Sequence, residues 1–165
     1  MIVFPMAGRS SRFFKAGYTV PKFMLPLAGK SLFQHTIEGF RSCFEREQFV
    51  FVHLNDDGVA EFIERELQEI GLKQGDFVLK GLSETTSGQA ETVAVGCRAV
   101  ELTDADSLTI FNIDTIRPDF QYPAIVSQDA CDGYLEVFLG EGDHWSFVEP
   151  AKDDPSKSIA VDVAE

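Results

Sequence analysis

The chain has 165 residues, 44% of them hydrophobic, which suits one domain with a sizeable core. A formal net charge of −13 argues against nonspecific binding to nucleic acid or to an anionic membrane surface. No uncharged stretch approaches the roughly 20 apolar residues of a spanning helix, and Met1 to Arg12 lacks the basic start and long apolar run of a signal peptide.

The elements read in chain order as follows. Met1 to Pro5 is a short apolar run, predicted to be a buried strand. Met6 to Ala28 is long, rich in Gly, Ser and Pro, and without a clean period; loops of that length in a compact domain are functional or mobile. Ser31 and Gln34 have capping-box spacing. Phe33, Ile37, Phe40 and Phe44 then follow on one helical face. Phe49 to Leu54 is the second predicted strand. Asp56 or Asp57 is expected to cap a second helix that buries Val59, Phe62, Ile63, Leu67 and Ile70, with Gly71 closing it. Phe77 to Leu79 reads as a short strand. Thr86 to Gly88 leads into a third helix with Ala90, Val93, Ala94, Cys97 and Val100 inward. Ser107 to Ile113 is an apolar strand ending at Asp114. Strand and helix thus alternate, the signature of a doubly wound, Rossmann-like α/β sheet with a mainly parallel core.

The last third changes character. Gly133 to Leu139, Trp145 to Glu149 and Ser158 to Val163 read as strands of an antiparallel hairpin or meander, with Lys152–Ser158 as a turn. The chain stops inside or just after a strand without a capping element. The expectation is one domain over residues 1–165, incomplete at its C-terminus.

Cys43, Cys97 and Cys131 are far apart, odd in number and form no CxxC, so they read as reduced core thiols in a cytoplasmic protein. His35 falls in a helix, His53 ends a strand, and His144 precedes Trp145 in a turn. None joins a Ser/His/Asp or Cys/His set. Phe4, Phe33, Phe40, Phe51 and Phe111 are core by pattern, and Phe13 and Phe14 are expected to pack the loop beside Arg12.

Charge is unevenly placed. Residues 1–37 hold Arg9, Arg12, Lys15, Lys22 and Lys30 and no acid, while the rest has nine basic residues against 27 acidic ones. A short basic segment in an acidic chain reads either as a local anion site or as a solvated loop. Ligands of open α/β sheets bind outside the carboxyl ends of the strands, and two candidate sites fall there. The first is Ala7-Gly8-Arg9-Ser10-Ser11-Arg12, continuing to Pro21-Lys22. A small-residue loop lets backbone N–H groups approach phosphate oxygens, with Arg12 and Lys22 adding full charges; a plain structural turn has the same composition. The spacing fits neither a Walker loop nor a dinucleotide GxGxxG. The second is Asp114, a suitable Mg²⁺ ligand just past a buried strand, or a helix-capping aspartate.

Pro5-Met6-Ala7-Gly8-Arg9-Ser10-Ser11-Arg12-Phe13, then Val20-Pro21-Lys22-Phe23-Met24-Leu25-Pro26-Leu27 and Gly29-Lys30, resembles the signature of the sugar-phosphate nucleotidyltransferases (nucleotide-sugar pyrophosphorylases). Thr86-Ser87-Gly88-Gln89-Ala90 resembles that family's base-binding segment, and Phe111-Asn112-Ile113-Asp114 its metal-aspartate segment. Trp145-Ser146-Phe147-Val148-Glu149 and Val163-Ala164-Glu165 resemble its sugar-phosphate side. The likeness is greatest to bacterial members that serve capsule and lipopolysaccharide precursors.

The resemblance implies a fold of the nucleotide-diphospho-sugar transferase type. It also implies an enzyme that joins an NTP to a sugar 1-phosphate, or a similar phosphorylated alcohol, and releases pyrophosphate. By position, the Ala7–Ser11 backbone would wrap the phosphates, and Arg12 would hold the leaving pyrophosphate. Lys22 would neutralise charge on the α-phosphate, and Asp114, beside Asn112, would coordinate Mg²⁺. Gly88 and Gln89 would approach the base, and Ser146 and Glu165 would face the acceptor. Such transfer needs positioning and charge neutralisation rather than a protein nucleophile.

Two departures stand out. Ser10 replaces the usual second glycine of the loop, either restricting the turn or adding a hydroxyl donor. A further metal carboxylate and a lysine that the family supplies later are also not in the chain. The alternative reading is therefore a degenerate or regulatory nucleotide-binding domain without turnover. A molybdopterin-type nucleotidyltransferase shares the loop logic, but the hairpin carrying Trp145 and Glu149 argues against it. A purely structural domain would leave the acid-free N-terminal segment an accident. Base, acceptor and oligomeric state are not set by the sequence.

Overall fold

The computed structural model describes every residue except 104, 129–130, 143–144, 152–158 and 165. Side-chain alternation along two strands builds the core. On β1 (Ile2–Met6) and β4 (Phe49–Leu54), successive residues point to opposite faces of the sheet. Val3, Val50 and Val52 therefore share one face, where Val93 packs on them. Phe4, Phe49 and Phe51 share the other, with the Phe4 ring 5.0 Å from Phe51 and 5.7 Å from Phe40, edge-on to the latter. One face is aliphatic and thin, the other aromatic and thick.

β5 (Phe77–Leu82) and β6 (Thr109–Ile110) complete a four-stranded sheet of order β5-β4-β1-β6, and all neighbours pair parallel. The α/β expectation holds. Strand order reverses between β1 and β6, which opens a crevice at their carboxyl ends. β6 is shorter than the predicted Ser107–Ile113. Its ladder ends where the Phe111 N–H donates to the Val3 carbonyl at 3.1 Å, so Asn112 to Asp114 lie beyond the sheet.

The long loop is more ordered than its sequence suggested. It holds α1 (Ser11–Lys15), a 3₁₀ turn over Lys22–Met24 and a small hairpin of β2 (Pro26–Leu27) and β3 (Lys30–Ser31). α1 buries none of its residues, so no apolar period announces it. α2 (Leu32–Glu38) starts at Ser31 as expected, and the Ser31 hydroxyl accepts from the Gln34 N–H at 3.0 Å. The Gln34 amide does not complete a capping box; it donates instead to Glu69 at 2.9 Å.

α3 (Val59–Glu69) buries Val59, Phe62, Ile63 and Leu67 as predicted, with Ile70 following. Its cap is Gly58, at φ 76, rather than Asp56 or Asp57. The chain enters through a left-handed turn that glycine tolerates best, which leaves both aspartates too early.

α4 (Gln89–Ala99) turns most of its predicted face inward, with Val93 buried and Cys97 and Val100 packed partly buried against the valine cluster. Thr92, Val93 and Gly96 are buried, whereas Ala90 is exposed. Gly96 was not predicted inward, yet it faces the valines directly. A β-carbon there would lie 2.9 Å from Val52 Cγ2 and 3.1 Å from Val3 Cγ1, so only glycine lets the helix approach the valine face this closely. Gly96→Val is expected to overpack this contact and destabilise the fold by about 1–3 kcal/mol. The urea midpoint should fall with an unchanged slope; an unchanged midpoint would mean that the close approach carries no stability.

Residues Met1–Gln121 form the first compact unit and Tyr122–Glu165 the second. The second contains α5 (Ala124–Ser127), which the sequence did not announce, and an antiparallel pair of β7 (Phe147–Pro150) and β8 (Ala160–Ala164) with Val148 opposite Val163. The predicted hairpin is thus present. Gly133 to Leu139 is not a strand: it joins none of the described sheets, and a lone apolar run gains no ladder. The predicted turn at 152–158 lies outside the described residues.

All three cysteines are free. Cys43 is buried, and burial pushes its thiol pKa up, which keeps it protonated and inert; Cys97 and Cys131 are half-buried. Among the described residues, no helix is long and apolar enough to cross a membrane.

Candidate functional site

A cavity of about 750 Å³ opens at the carboxyl ends of β1 and β6, within the size range of small-ligand sites. The first unit brings both candidate sites of the sequence to it. Ala7, Gly8, Ser10, Ser11, Arg12 and Lys22 line one side. Gly88, Gln89, Asn112 and Asp114 line the other. Arg9 is the exception in its loop. Its side chain lines a separate cavity of about 320 Å³ with Ser11, Phe14, Lys15 and Asp56.

The loop after β1 turns sharply at Ser10, which adopts the left-handed conformation at φ 49 and ψ 31. For a non-glycine residue this costs roughly 1–2 kcal/mol. The Ser10 hydroxyl accepts from the Lys22 N–H at 3.2 Å, so the residue that strains the turn also ties it to the lysine segment. Such a bond contributes about 1 kcal/mol, which offsets much of the strain. The hydroxyl acts here as an acceptor, not as the donor that the sequence position suggested.

Gly8 and Gly88 carry a different message. Neither has a positive φ, and a β-carbon on either would meet nothing within 4 Å. The protein's own packing does not require glycine at these two positions. Both border the cavity, so the space that they leave open is space for an occupant.

Two polar pairs tie lining residues together. Lys22 Nζ donates to Asp114 Oδ2 at 2.8 Å and lies 5.3 Å from the Phe13 ring centroid. Gln89 Nε2 donates to Asn112 Oδ1 at 2.6 Å. The Asp114 carboxylate caps no helix among the described residues, and its bond to Lys22 keeps it at the cavity wall. Arg12 has no ion-pair partner among the described residues and stays available to an anion.

The opening turn of α4 borders the cavity through Gly88, Gln89 and Thr92, and its first N–H groups have no partner within the helix. Helix termini of this kind favour negative charge. Glu91 folds back to accept from the Ser87 N–H at 2.7 Å and the Ser87 hydroxyl at 2.6 Å, and these bonds hold its carboxyl below the usual range.

Sequence reading missed Thr92. It lines the cavity with its side chain buried, and its hydroxyl meets Thr86 Oγ1 at 2.6 Å and the Gly88 carbonyl at 3.2 Å. A threonine on the apolar face of a helix was the signal available. Phe13 and Phe23 also line the cavity. His53 is buried with Nδ1 2.8 Å from the Leu54 carbonyl, and His35 Nε2 is 2.7 Å from the Leu27 carbonyl, so the structure gives both a local partner. Ser146 lies in the second unit, exposed, one residue before β7. Glu165 and His144 lie outside the described residues.

Among the described residues, no cluster of three or more His, Cys, Asp or Glu could hold a metal by itself. Mg²⁺ sites of the phosphate-binding kind need less. One or two carboxylates suffice, because nucleotide phosphates and water supply the other ligands. Asp114, half-exposed at the wall of a cavity that also presents Arg12 and Lys22, fits that donor set.

A crevice at the switch point of a parallel sheet, walled by a small-residue loop, two cations, a carboxylate and a helix N-terminus, defines a nucleotide-binding α/β protein. Residues 2–143 match the MobA-like NTP transferase domain family, and the chain belongs to that family. It is similar over 100% of its length to the crystal structure of the nucleoside-diphosphate-sugar pyrophosphorylase from Vibrio cholerae RC9, with 43% identity and a TM-score of 0.88. The chain spans 66% of that protein's length. No curated protein matches it. Both matches bear out the resemblance read from the sequence.

Proposed function

We propose that this chain carries the nucleotide site of a Mg²⁺-dependent, cytoplasmic nucleotidyltransferase. The enzyme joins an NTP to a sugar 1-phosphate, or a similar phosphorylated alcohol, and releases pyrophosphate. The observation that carries the reading is the single cavity in which the small-residue loop, Arg12, Lys22 and Asp114 converge. A triphosphate needs this combination: cations to neutralise it, close backbone approach to position it, and a carboxylate for its metal.

In this reading Arg12 and Lys22 hold the phosphates. Lys22 leaves Asp114 and meets the α-phosphate, and Asp114 holds Mg²⁺, which supplies charge neutralisation when bound. Gly88 leaves room for the base, and the Gln89 amide contacts it. Ser146 and Glu165 belong to the acceptor side. An acceptor phosphate oxygen attacks the α-phosphorus, the bond to the bridging oxygen breaks, and pyrophosphate leaves with that electron pair.

The sugar-type acceptor is supported by the extent of the two matches. The family match ends at residue 143, before β7 and β8, whereas the pyrophosphorylase likeness covers 100% of the chain, the hairpin included. A role in precursors of cell-surface polysaccharide follows from the family resemblance of the loop and of the Trp145–Glu149 segment.

Thermal unfolding with ATP, GTP, CTP, UTP and dTTP, each with and without Mg²⁺, tests the reading. One NTP at about a hundred times its dissociation constant should stabilise the fold by about 2.7 kcal/mol. For a chain this long that is a rise of roughly 5–10 °C. The shift should need Mg²⁺. No shift with any NTP would remove the nucleotide site.

A further inference from the structure

β6 does not hold Asp114. Its ladder ends at the bond from Phe111 to Val3, three residues earlier. The chain from Asn112 to Phe120 is gripped instead from the side, by α2 and the 3₁₀ turn over Arg41–Cys43 that follows it. Thr36, fully buried on α2, donates its hydroxyl to the Ile113 carbonyl at 2.9 Å. Among the described residues, that carbonyl has no other hydrogen-bond partner. Immediately after α2, the Gly39 backbone lies so close to the Arg117 carbonyl that a β-carbon on Gly39 would overlap it. The Gly39 carbonyl accepts from the Phe120 N–H at 2.9 Å, and the Ser42 hydroxyl donates to the Phe120 carbonyl at 2.9 Å. The Phe40 ring packs 4.7 Å from both Phe111 and Phe120, at the two ends of the segment.

We infer that α2 is the platform that sets the position of Asp114, and that Thr36 is its positioning residue. Thr36 touches neither nucleotide nor metal in this scheme. It fixes the peptide next to Asp114, so the carboxylate reaches the cavity at one depth. The hydroxyl does this with a single proton, for which its own helix carbonyl at Leu32, 3.1 Å away, competes. The Ile113 bond is the shorter of the two. Valine has the same shape as threonine without the donor. It would leave a buried carbonyl unsatisfied beside Asp114, and the loop would move to find water. The inference rests on the reading of Asp114 as the Mg²⁺ carboxylate.

Isothermal titration of the full chain tests it, using whichever of the five NTPs stabilises it most, once with Mg²⁺ and once with EDTA. The ratio of the two dissociation constants is the gain from metal. Loss of a supporting contact behind a metal ligand lowers metal affinity by roughly 10–100-fold. Thr36→Val should therefore cut the gain by about tenfold or more while leaving the EDTA affinity unchanged. Thr36→Ser should keep the gain, and Asp114→Asn should abolish it. A purely structural role for Thr36 would weaken binding equally with and without metal, and that result would overturn the proposal. A full gain in Thr36→Val, with the gain lost in Asp114→Asn, would overturn it and leave the functional reading intact. A full gain in Asp114→Asn would remove the metal role of Asp114 and the proposal with it. Should Thr36→Val fail to fold, Ser42→Ala loosens the same segment at its far end. A reduced gain there supports the platform, and an unchanged gain overturns it.

Discussion

Lys22→Ala is expected to slow pyrophosphate release by about 10²–10³-fold, the usual cost of removing one preorganised charge from a transition state. Stability should hardly change. In the structure Lys22 pairs with Asp114 at 2.8 Å, but the two side chains are 35% and 43% exposed. Water screens an ion pair of that kind, and it contributes at most about 1 kcal/mol. The same bond shows why the lysine matters to chemistry. It parks a cation at the cavity wall beside the only carboxylate that lines the cavity among the described residues. An arriving metal and triphosphate would replace one partner of each group. Steady-state rates, read together with the urea midpoint, separate the two roles. A normal rate in Lys22→Ala would take Lys22 out of the reaction, and a collapsed midpoint would make it a structural residue.

Phe4→Ala should have the largest effect on the fold, a loss of about 3–5 kcal/mol. Phe4 is fully buried on β1 and meets Phe40, Phe49, Phe51 and Phe111, with centroid distances from 5.0 to 6.2 Å. It joins the aromatic face of the sheet to Phe40 after α2 and to Phe111 at the end of β6. Domains are stable by only about 5–15 kcal/mol in all, so this one truncation consumes a large share. The expected fall in melting temperature is roughly 6–20 °C. A fall of only a degree or two would show that the aromatic face repacks around the gap.

Phe4 also illustrates what was legible in advance. Strands of alternating Val and Phe, and helices with apolar steps of three and four, identified the α/β sheet and most of its core. Burial is a local property of pattern when an element is long and amphipathic. The Ser31 cap, the Gly71 stop and the β7–β8 hairpin were likewise written in neighbouring residues. α1 was not, because it buries nothing and so carries no period. The cap of α3 was misread because a left-handed glycine outcompeted two plausible aspartates. Gly96 was missed from the inward face of α4 because glycine contributes no apolar signal, yet a β-carbon there would crowd Val52 and Val3.

The candidate site divides in the same way. The sequence by itself determined the chemical parts: a small-residue loop, Arg12 and Lys22 in an acid-free segment, and an aspartate after an apolar strand. These are residue types at local spacings, and local chemistry fixes them. Only the tertiary structure decided which parts meet. Lys22 and Asp114 are 92 residues apart in the chain and 2.8 Å apart in the fold. Parallel pairing on either side of β1 brings loop, helix N-terminus and aspartate to one end of the sheet. The fold also decided that Arg9 lines a different cavity, and that Thr36, on another helix, supports the peptide beside Asp114. Contacts of that kind depend on strand order and on the close approach of separate elements. No local pattern encodes them, because their energy exists only once the distant segments have come together.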